Sequence, residues 1–280
     1  MRRVPCELLG MRVDVPERPQ RIVSLVSGVT EALFDLGVGP RVVGVSKYCA
    51  RYVDISCTEI VGDYLKVDEV RLRELQPDLV LLTSGVQLGV ARRLAKQGFP
   101  VMVLPMPVSF EGIVDNVRQA AALAGETAAG QALAGRMGDD AAVLRAVTRA
   151  RVRRPRLFVD LWFGRHERTT GGLSFVHDLV TLAGAENAFG DRGDAYFEVE
   201  AAEIAAAKPE AVLVFTEEDD HPVDVPALVR ARGWERLPVI VSDIARGRIV
   251  IHDGPSLLES ARWLARELGA RGLGARGLFS

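Results

Sequence analysis

Histidine is scarce in this 280-residue chain, and the four present, His166, His177, His221 and His252, show no HxH or HxxxH spacing. A compact zinc site is therefore not expected. Cysteine is scarcer still. Cys6, Cys49 and Cys57 form no CxxC and leave one thiol over in any pairing, so free thiols are expected ahead of a Cys49–Cys57 bridge. No GxxxxGKS/T cradle exists for a nucleoside triphosphate, and no GxSxG elbow for a nucleophilic serine. The glycines of "GVGPRVVG" follow a helical pattern and precede a strand, the reverse of a dinucleotide fingerprint. No run approaches the ~20 apolar residues of a membrane helix. The opening "MRRVPCELLG" has two arginines but no apolar core of a secretory signal, and Cys6 lacks the hydrophobic run of a lipoprotein cysteine. Taken as it stands, the chain is expected to be soluble and cytoplasmic. With 35 basic against 37 acidic residues, the net charge of -2 offers no field for nucleic acid or an anionic membrane.

What the chain does have is apolar content, 48% by residue, enough for two cores. It also repeats itself. "QPDLVLL" from Gln76 returns as "KPEAVLV" from Lys208, and Val67/Val199, Asp68/Glu200, Leu72/Ile204 and Pro77/Pro209 keep the same offset of 132 positions. Around each copy, short apolar runs alternate with helical patterns: "RIVSLV", "RVVGVS", "DLVLLT" and "PVMVLP" in the first half, "RLFVDLWF", "AVLVFT" and "RIVIHD" in the second. Such alternation predicts parallel strands joined by helical crossovers. "VPALVRARGWERL" reads as one helix, and Ser27 as the N-cap of the first. Between the halves, an Ala-rich stretch free of proline until Pro155 carries Leu133, Met137, Leu144 and Val147 on one face. About 25 helical residues there would span ~37 Å. The expected fold is α/β: two Rossmann-like lobes with parallel sheets, residues 1–108 and 156–280, joined through 109–155 by one long backbone α-helix, with a ligand cleft between the lobes.

Ligand crevices in open α/β sheets lie beyond the carboxyl ends of strands. Aromatic and polar residues gather there although aromatics are only 6% of the chain. Tyr48, Arg51 and Tyr52 follow one strand; Asp63 and Tyr64 precede a helix; Thr83, Ser84 and Gln87 follow "DLVLL". In the second half Trp162, Phe163, Arg165 and His166 follow "LFVDL", Tyr196 and Phe197 precede "EVEAAE", and His252 and Asp253 follow "RIVI". This set suits a bulky, flat, partly apolar ligand with polar rim groups. "TTGGLS" is either an anion cradle on backbone amides or, more simply, a turn capped by Ser174. The acidic run Glu217–Asp220 reads as a solvated loop, and the arginines ending the long helix as partners of its dipole.

"RIVSLVSGVTEALFDLGVGPRVVGVSKYC", "VGDYLKVDEVRLRELQPDLVLLTSG", "TTGGLSFVHDLVTLAGAENAF" and "ARGWERLPVIVSDIARGRIVIHDG" together resemble the substrate-binding proteins of cobalamin and iron-siderophore ABC importers. The resemblance runs from about Val13 to the final helix. It implies non-catalytic binding of a metal chelate, delivery to an ABC permease, a monomer, and no cofactor of its own. Ligand-facing positions would correspond to Tyr48, Asp63, Tyr64, Thr83, Ser84, Trp162, Phe163 and Tyr196. Such proteins are exported, so a periplasmic or other extracytoplasmic place is the alternative location. They also carry a glutamate seven residues before the proline of each repeat, to meet permease arginines. Here those positions hold Val70 and Ala202, with Glu69 and Glu203 one residue away, ~100° around a helix. A cytoplasmic corrinoid carrier or sensor without an importer stays open as a second reading, and an enzyme on paired lobes as a third.

Overall fold

Short apolar runs become parallel strands when each is followed by a helix that crosses back over the sheet. The computed structural model of the chain describes residues 1–150, 153–163, 166–216, 223–243 and 252–273. The chain divides into two units. One comprises Met1–Pro107, Glu111–Met137 and Asp253–Pro255; the other comprises Val108–Phe110, Gly138–His252 and Ser256–Ser280. The stretch 109–155, expected as a separate linker, is shared between them, and a three-residue return from the C-terminal part belongs to the first unit.

The first unit opens with an antiparallel hairpin, β1 (Arg2–Cys6) and β2 (Met11–Val15), where the sequence offers no apolar run. Only Cys6, Val13 and Val15 of the pair are buried. There follow β3 (Ile22–Ser24), α1 (Ser27–Asp35), β4 (Val42–Val45), β5 (Glu59–Ile60), α2 (Glu69–Glu74), β6 (Leu79–Thr83), α3 (Leu88–Lys96) and β7 (Val101–Leu104). The strands form an all-parallel sheet of order β5-β4-β3-β6-β7. All residues of β3, β6 and β7 are buried, as unbroken apolar strands covered on both faces should be. Two helices follow, α4 (Phe110–Leu123) and the 23-residue α5 (Thr127–Arg149). Leu133, Met137 and Leu144 of α5 are buried, and the helix passes from one unit to the other at Met137–Gly138.

In the second unit lie β8 (Arg156–Phe163), β9 (His166–Thr170), α6 (Phe175–Leu182), β10 (Glu186–Asn187), β11 (Tyr196–Phe197), α7 (Ala201–Ala207), β12 (Ala211–Thr216), α8 (Val225–Arg232), β13 (Val239–Asp243) and α9 (Leu257–Ala270). Its sheet runs β11-β9-β8-β12-β13, with β10 also on β8. β8 and β12 are expected strands, and β13, which the sequence reading does not single out, extends them in parallel, but β9 and β11 add antiparallel strands, so this sheet is mixed. "HERTT" is too polar to announce a strand. The helix expected over residues 225–237 ends at Arg232, because Gly233 turns left-handed (φ 68) and Trp234 folds back into the core at 5% exposure. The strand expected over residues 248–253 falls outside the described residues except for His252 and Asp253.

The repeat is visible in the backbone. Among the described residues, the non-glycine positions with positive φ are Gln76 (43°) and Lys208 (49°), 132 apart, each ending the helix before its proline. Asp68 caps α2 by accepting from the Arg71 amide, and Glu200 caps α7 through a reciprocal pair with Glu203. Each copy is one helix-turn-strand placed in its own unit.

Candidate functional site

At the carboxyl end of β4 a short turn, Lys47–Arg51, carries Tyr48; the loop after β5 carries Tyr64. The two rings stack with centroids 4.8 Å apart and planes 18° apart. Lys47 Nζ lies 4.8 Å and Arg51 Cζ 4.7 Å from the Tyr48 ring centre. Such contacts contribute about 0.5–1 kcal/mol each where partly exposed. The Tyr64 hydroxyl shares a 2.8 Å hydrogen bond with Ser27 Oγ at the start of α1. Ser27 is therefore not the N-cap expected of it. Val26 occupies that position without a side-chain bond, and the hydroxyl is spent on the tyrosine. The arrangement is an aromatic surface with cations against it. Tyr52 closes the same turn through its amide to the Cys49 carbonyl. Cys49 lies beneath, between Thr30 Oγ1 (3.2 Å) and Ser46 Oγ (3.3 Å), with its pKa raised by burial. All three cysteines are free thiols.

Three other expected residues build the loops. Asp63 Oδ1 accepts from the amides of Leu65 (2.7 Å) and Lys66 (2.8 Å), and the Lys66 bond above all holds its pKa below the usual carboxylate value. That turn sets Tyr64 in place. Thr83 is buried, with its hydroxyl on the Leu104 carbonyl, and Ser84 Oγ accepts from the Met106 amide at 2.8 Å. Both hydroxyls thus join β6 to the end of β7. Gln87, wholly buried, accepts from the Thr83 amide (2.9 Å) and donates to the carbonyls of Leu25 (3.1 Å) and Tyr64 (3.3 Å). One amide side chain fixes three loop ends. Sequence reasoning missed Lys47 and the pairing of Ser27; a serine where strand meets helix was the available signal.

In the second unit, Trp162, Phe163 and His166 lie at the ends of β8 and β9, in register Trp162↔Glu167 and Phe163↔His166. Arg165 lies outside the described residues, as does the acidic run 217–220. Tyr196 is half-buried in β11 opposite Thr170. His252, another of the expected ligand-facing residues, is buried at 2% exposure. In "TTGGLS" the turn is the right reading. Ser174 caps α6 through the His177 amide, and a Cβ at Gly171 would lie 2.2 Å from the Asp194 carbonyl oxygen, so glycine there serves backbone packing. Asp160, in the middle of β8, is 2% exposed with no partner for Oδ2; burial raises its pKa to about 6, against an opposing pull from Arg232.

Glu69 and Glu203 already have intramolecular bonds. Glu69 accepts from Arg93 Nε and Gln97 Nε2, both at 2.7 Å, and Glu203 accepts from the Glu200 amide at 3.0 Å. Val70 beside Glu69 is 71% exposed. Among the described residues, no group of His, Cys, Asp and Glu is arranged to hold a metal ion, and no helix is long and apolar enough to cross a membrane.

Residues 22–241 match the family model described as periplasmic binding protein. A vitamin B12-binding protein of Salmonella typhimurium is 31% identical over 199 residues, covering 69% of this chain and 71% of that protein. An uncharacterized ABC transporter substrate-binding lipoprotein of Bacillus subtilis is 23% identical over 265 residues, 91% of this chain and 82% of that one. A periplasmic heme-binding protein of Roseiflexus, in apo form, superposes with a TM-score of 0.74 at 22% identity, covering 89% of this chain and 97% of its own.

Proposed function

The chain belongs to the periplasmic binding protein family, and from that premise we propose that it binds a metal chelate of corrinoid or ferric-siderophore type and hands it, chemically unchanged, to an ABC importer. The supporting observation is the Tyr48–Tyr64 stack, with Lys47 and Arg51 against it, at the carboxyl ends of parallel strands in a chain akin to a vitamin B12-binding protein. Stacked phenols give a flat apolar area with hydroxyl edges, and the cations favour ligands carrying carboxylate or phosphate groups. Its place of work, on this reading, is outside the cytoplasmic membrane, in keeping with its similarity to an ABC transporter substrate-binding lipoprotein and a periplasmic heme-binding protein. Fractionation of the native host cell tests that location.

Titration with cyanocobalamin, heme and a ferric siderophore, followed by tryptophan fluorescence, is expected to give saturation at micromolar or lower concentration for at least one, about 8 kcal/mol. No saturable response to any of the three would sink the reading. Tyr48→Ala is expected to weaken that binding at least tenfold, about 1.4 kcal/mol, with little change in melting temperature. Normal affinity with a much earlier melt would instead make Tyr48 a packing residue.

Docking on the permease does not rest on Glu69 and Glu203 in this proposal, because both carboxylates are engaged within their own unit. Glu69→Gln with Glu203→Gln is expected to change permease affinity less than threefold, since exposed ion pairs are worth about 0–1 kcal/mol. A strongly salt-dependent association lost in the double variant would show the opposite.

A further inference from the structure

The first turn of α1 reaches both loops that carry the stacked tyrosines. Ser27 Oγ and the Tyr64 hydroxyl share a 2.8 Å hydrogen bond, and further along the helix Thr30 Oγ1 lies 3.2 Å from the sulfur of Cys49, the residue after Tyr48. Positions three apart lie on one face of a helix, so a single face of α1 meets both loops. Thr30 is wholly buried, with its hydroxyl in hydrogen-bond reach of the Val26 carbonyl (2.9 Å) and Ser24 Oγ (2.8 Å). The main chain at Tyr64 is held separately. Gln87 Nε2 donates to the Tyr64 carbonyl at 3.3 Å, and the Asp63 carboxylate closes the turn around it through the amides of Leu65 and Lys66. What Ser27 adds is a bond at the far end of the ring.

The repeat bears on the same tyrosine. The offset of 132 that relates Asp68 to Glu200 and Pro77 to Pro209 also relates Tyr64 to Tyr196. Tyrosine is rare in the chain, four residues in 280, yet each half has one at this place. The supports differ. Asp63, whose carboxylate makes the turn in the first unit, corresponds to Ala195. In the second unit the Ala195 carbonyl accepts from Thr170 Oγ1 (3.0 Å) and from the Gly171 amide (3.2 Å), and Tyr196 pairs with Thr170 in an antiparallel ladder. A ladder fixes Tyr196 through its backbone. Tyr64 lies outside any strand, where its ring is held by a side-chain bond and a stack.

We propose that Ser27 is a positioning residue for the chelate: by holding the Tyr64 hydroxyl it orients that ring, and through the stack the ring of Tyr48, before the ligand arrives. A tyrosine has two side-chain torsions, and a loop that fixes only its backbone leaves both to be ordered on binding. With the main chain held at one end and the hydroxyl at the other, the ring is set in advance. The ordering cost then falls on folding and not on the complex. The inference rests on the binding reading above, in which the Tyr48–Tyr64 stack meets the ligand.

Ser27→Ala removes the hydroxyl and leaves Gln87 and Asp63 to hold the loop, so its melting temperature should stay near that of wild type. Two readouts separate positioning from packing. Without ligand, the tyrosine band in near-ultraviolet circular dichroism should lose intensity, because the Tyr48–Tyr64 pair no longer keeps one geometry. With cyanocobalamin and heme as probes, affinity for whichever saturates should fall about threefold to tenfold, the range of one net hydrogen bond. In a Tyr64→Phe background, which has no hydroxyl to hold, Ser27→Ala should change neither readout. An unchanged affinity or an unchanged band in Ser27→Ala overturns the proposal. So does an equal loss in both backgrounds, which would mean that Ser27 acts elsewhere, and so does a much earlier melt, since loss of packing would then explain both readouts. If wild type binds neither probe and Ser27→Ala still loses the band, the chelate reading fails and the orientation of Tyr64 by Ser27 stands; if the band is kept, both fall.

Discussion

A methyl group added at position 28 is expected to destabilise the protein by about 3 kcal/mol or more. Gly28 is the second residue of α1, and a Cβ built there would lie 2.3 Å from the carbonyl oxygen of Asp253, 2.5 Å from its carbonyl carbon and 2.7 Å from Oδ1. Two of those atoms are backbone, so no rotamer change relieves the clash. The return Asp253–Pro255 would have to leave its place in the first unit. Gly135 provides the control. It lies inside α5 and its added Cβ would meet nothing within 4 Å, so Gly135→Ala should be neutral or stabilising by up to about 1 kcal/mol. Thermal unfolding of Gly28→Ala, Gly135→Ala and wild type, followed by far-UV circular dichroism, gives the answer. A Gly28→Ala variant melting with wild type would mean that the return does not pack on α1.

Asp160→Asn is expected to act in the other direction, stabilising the protein by about 2–3 kcal/mol at neutral pH. The folded state holds the Asp160 carboxyl at a pKa of about 6, above its ordinary value of 3.8, because burial penalises the anion more than Arg232 relieves it. Folded protein thus keeps a proton that unfolded chain has already released. Stability from this group is greatest below the unfolded value, falls as pH rises between about 4 and 6, and stays at its lower level above that. The amide is neutral throughout, so wild type and variant should converge near pH 4 and separate by pH 7. Urea unfolding at several pH values measures the gap. A constant difference, or a variant less stable at neutral pH, would show that Asp160 is ionised at little cost in the folded protein.

The alternation of apolar runs and helical patterns makes the parallel cores legible in the sequence, and the offset of 132 identifies the duplicated unit there. Polar and irregular pairing was not legible. "HERTT" becomes β9 because β8 offers it a free edge, a tertiary reason that no local pattern carries. The end of α8 was misread because Trp234 continues the apolar period while Gly233 breaks the helix. At the site, residue type located the loops but not the direction of their hydrogen bonds. Thr83, Ser84 and Asp63, expected to face a ligand, also bond backbone amides and carbonyls, and Ser27, expected to cap a helix, holds Tyr64. A hydroxyl or carboxylate at a strand end can serve a ligand or the loop itself, and spacing does not tell the two apart.

The matched left-handed turns at Gln76 and Lys208 have a consequence for anyone wishing to exchange parts between the halves. Both turns demand the same uncommon conformation from a side-chain-bearing residue, so a segment running from the capping acid through the turn into the strand should graft from one half to the other with its path intact. Its side chains would not be portable in the same way. Moved alone into the second half, Glu69 would leave Arg93 and Gln97 behind, so a working transplant has to carry α2 and α3 together as a single cassette.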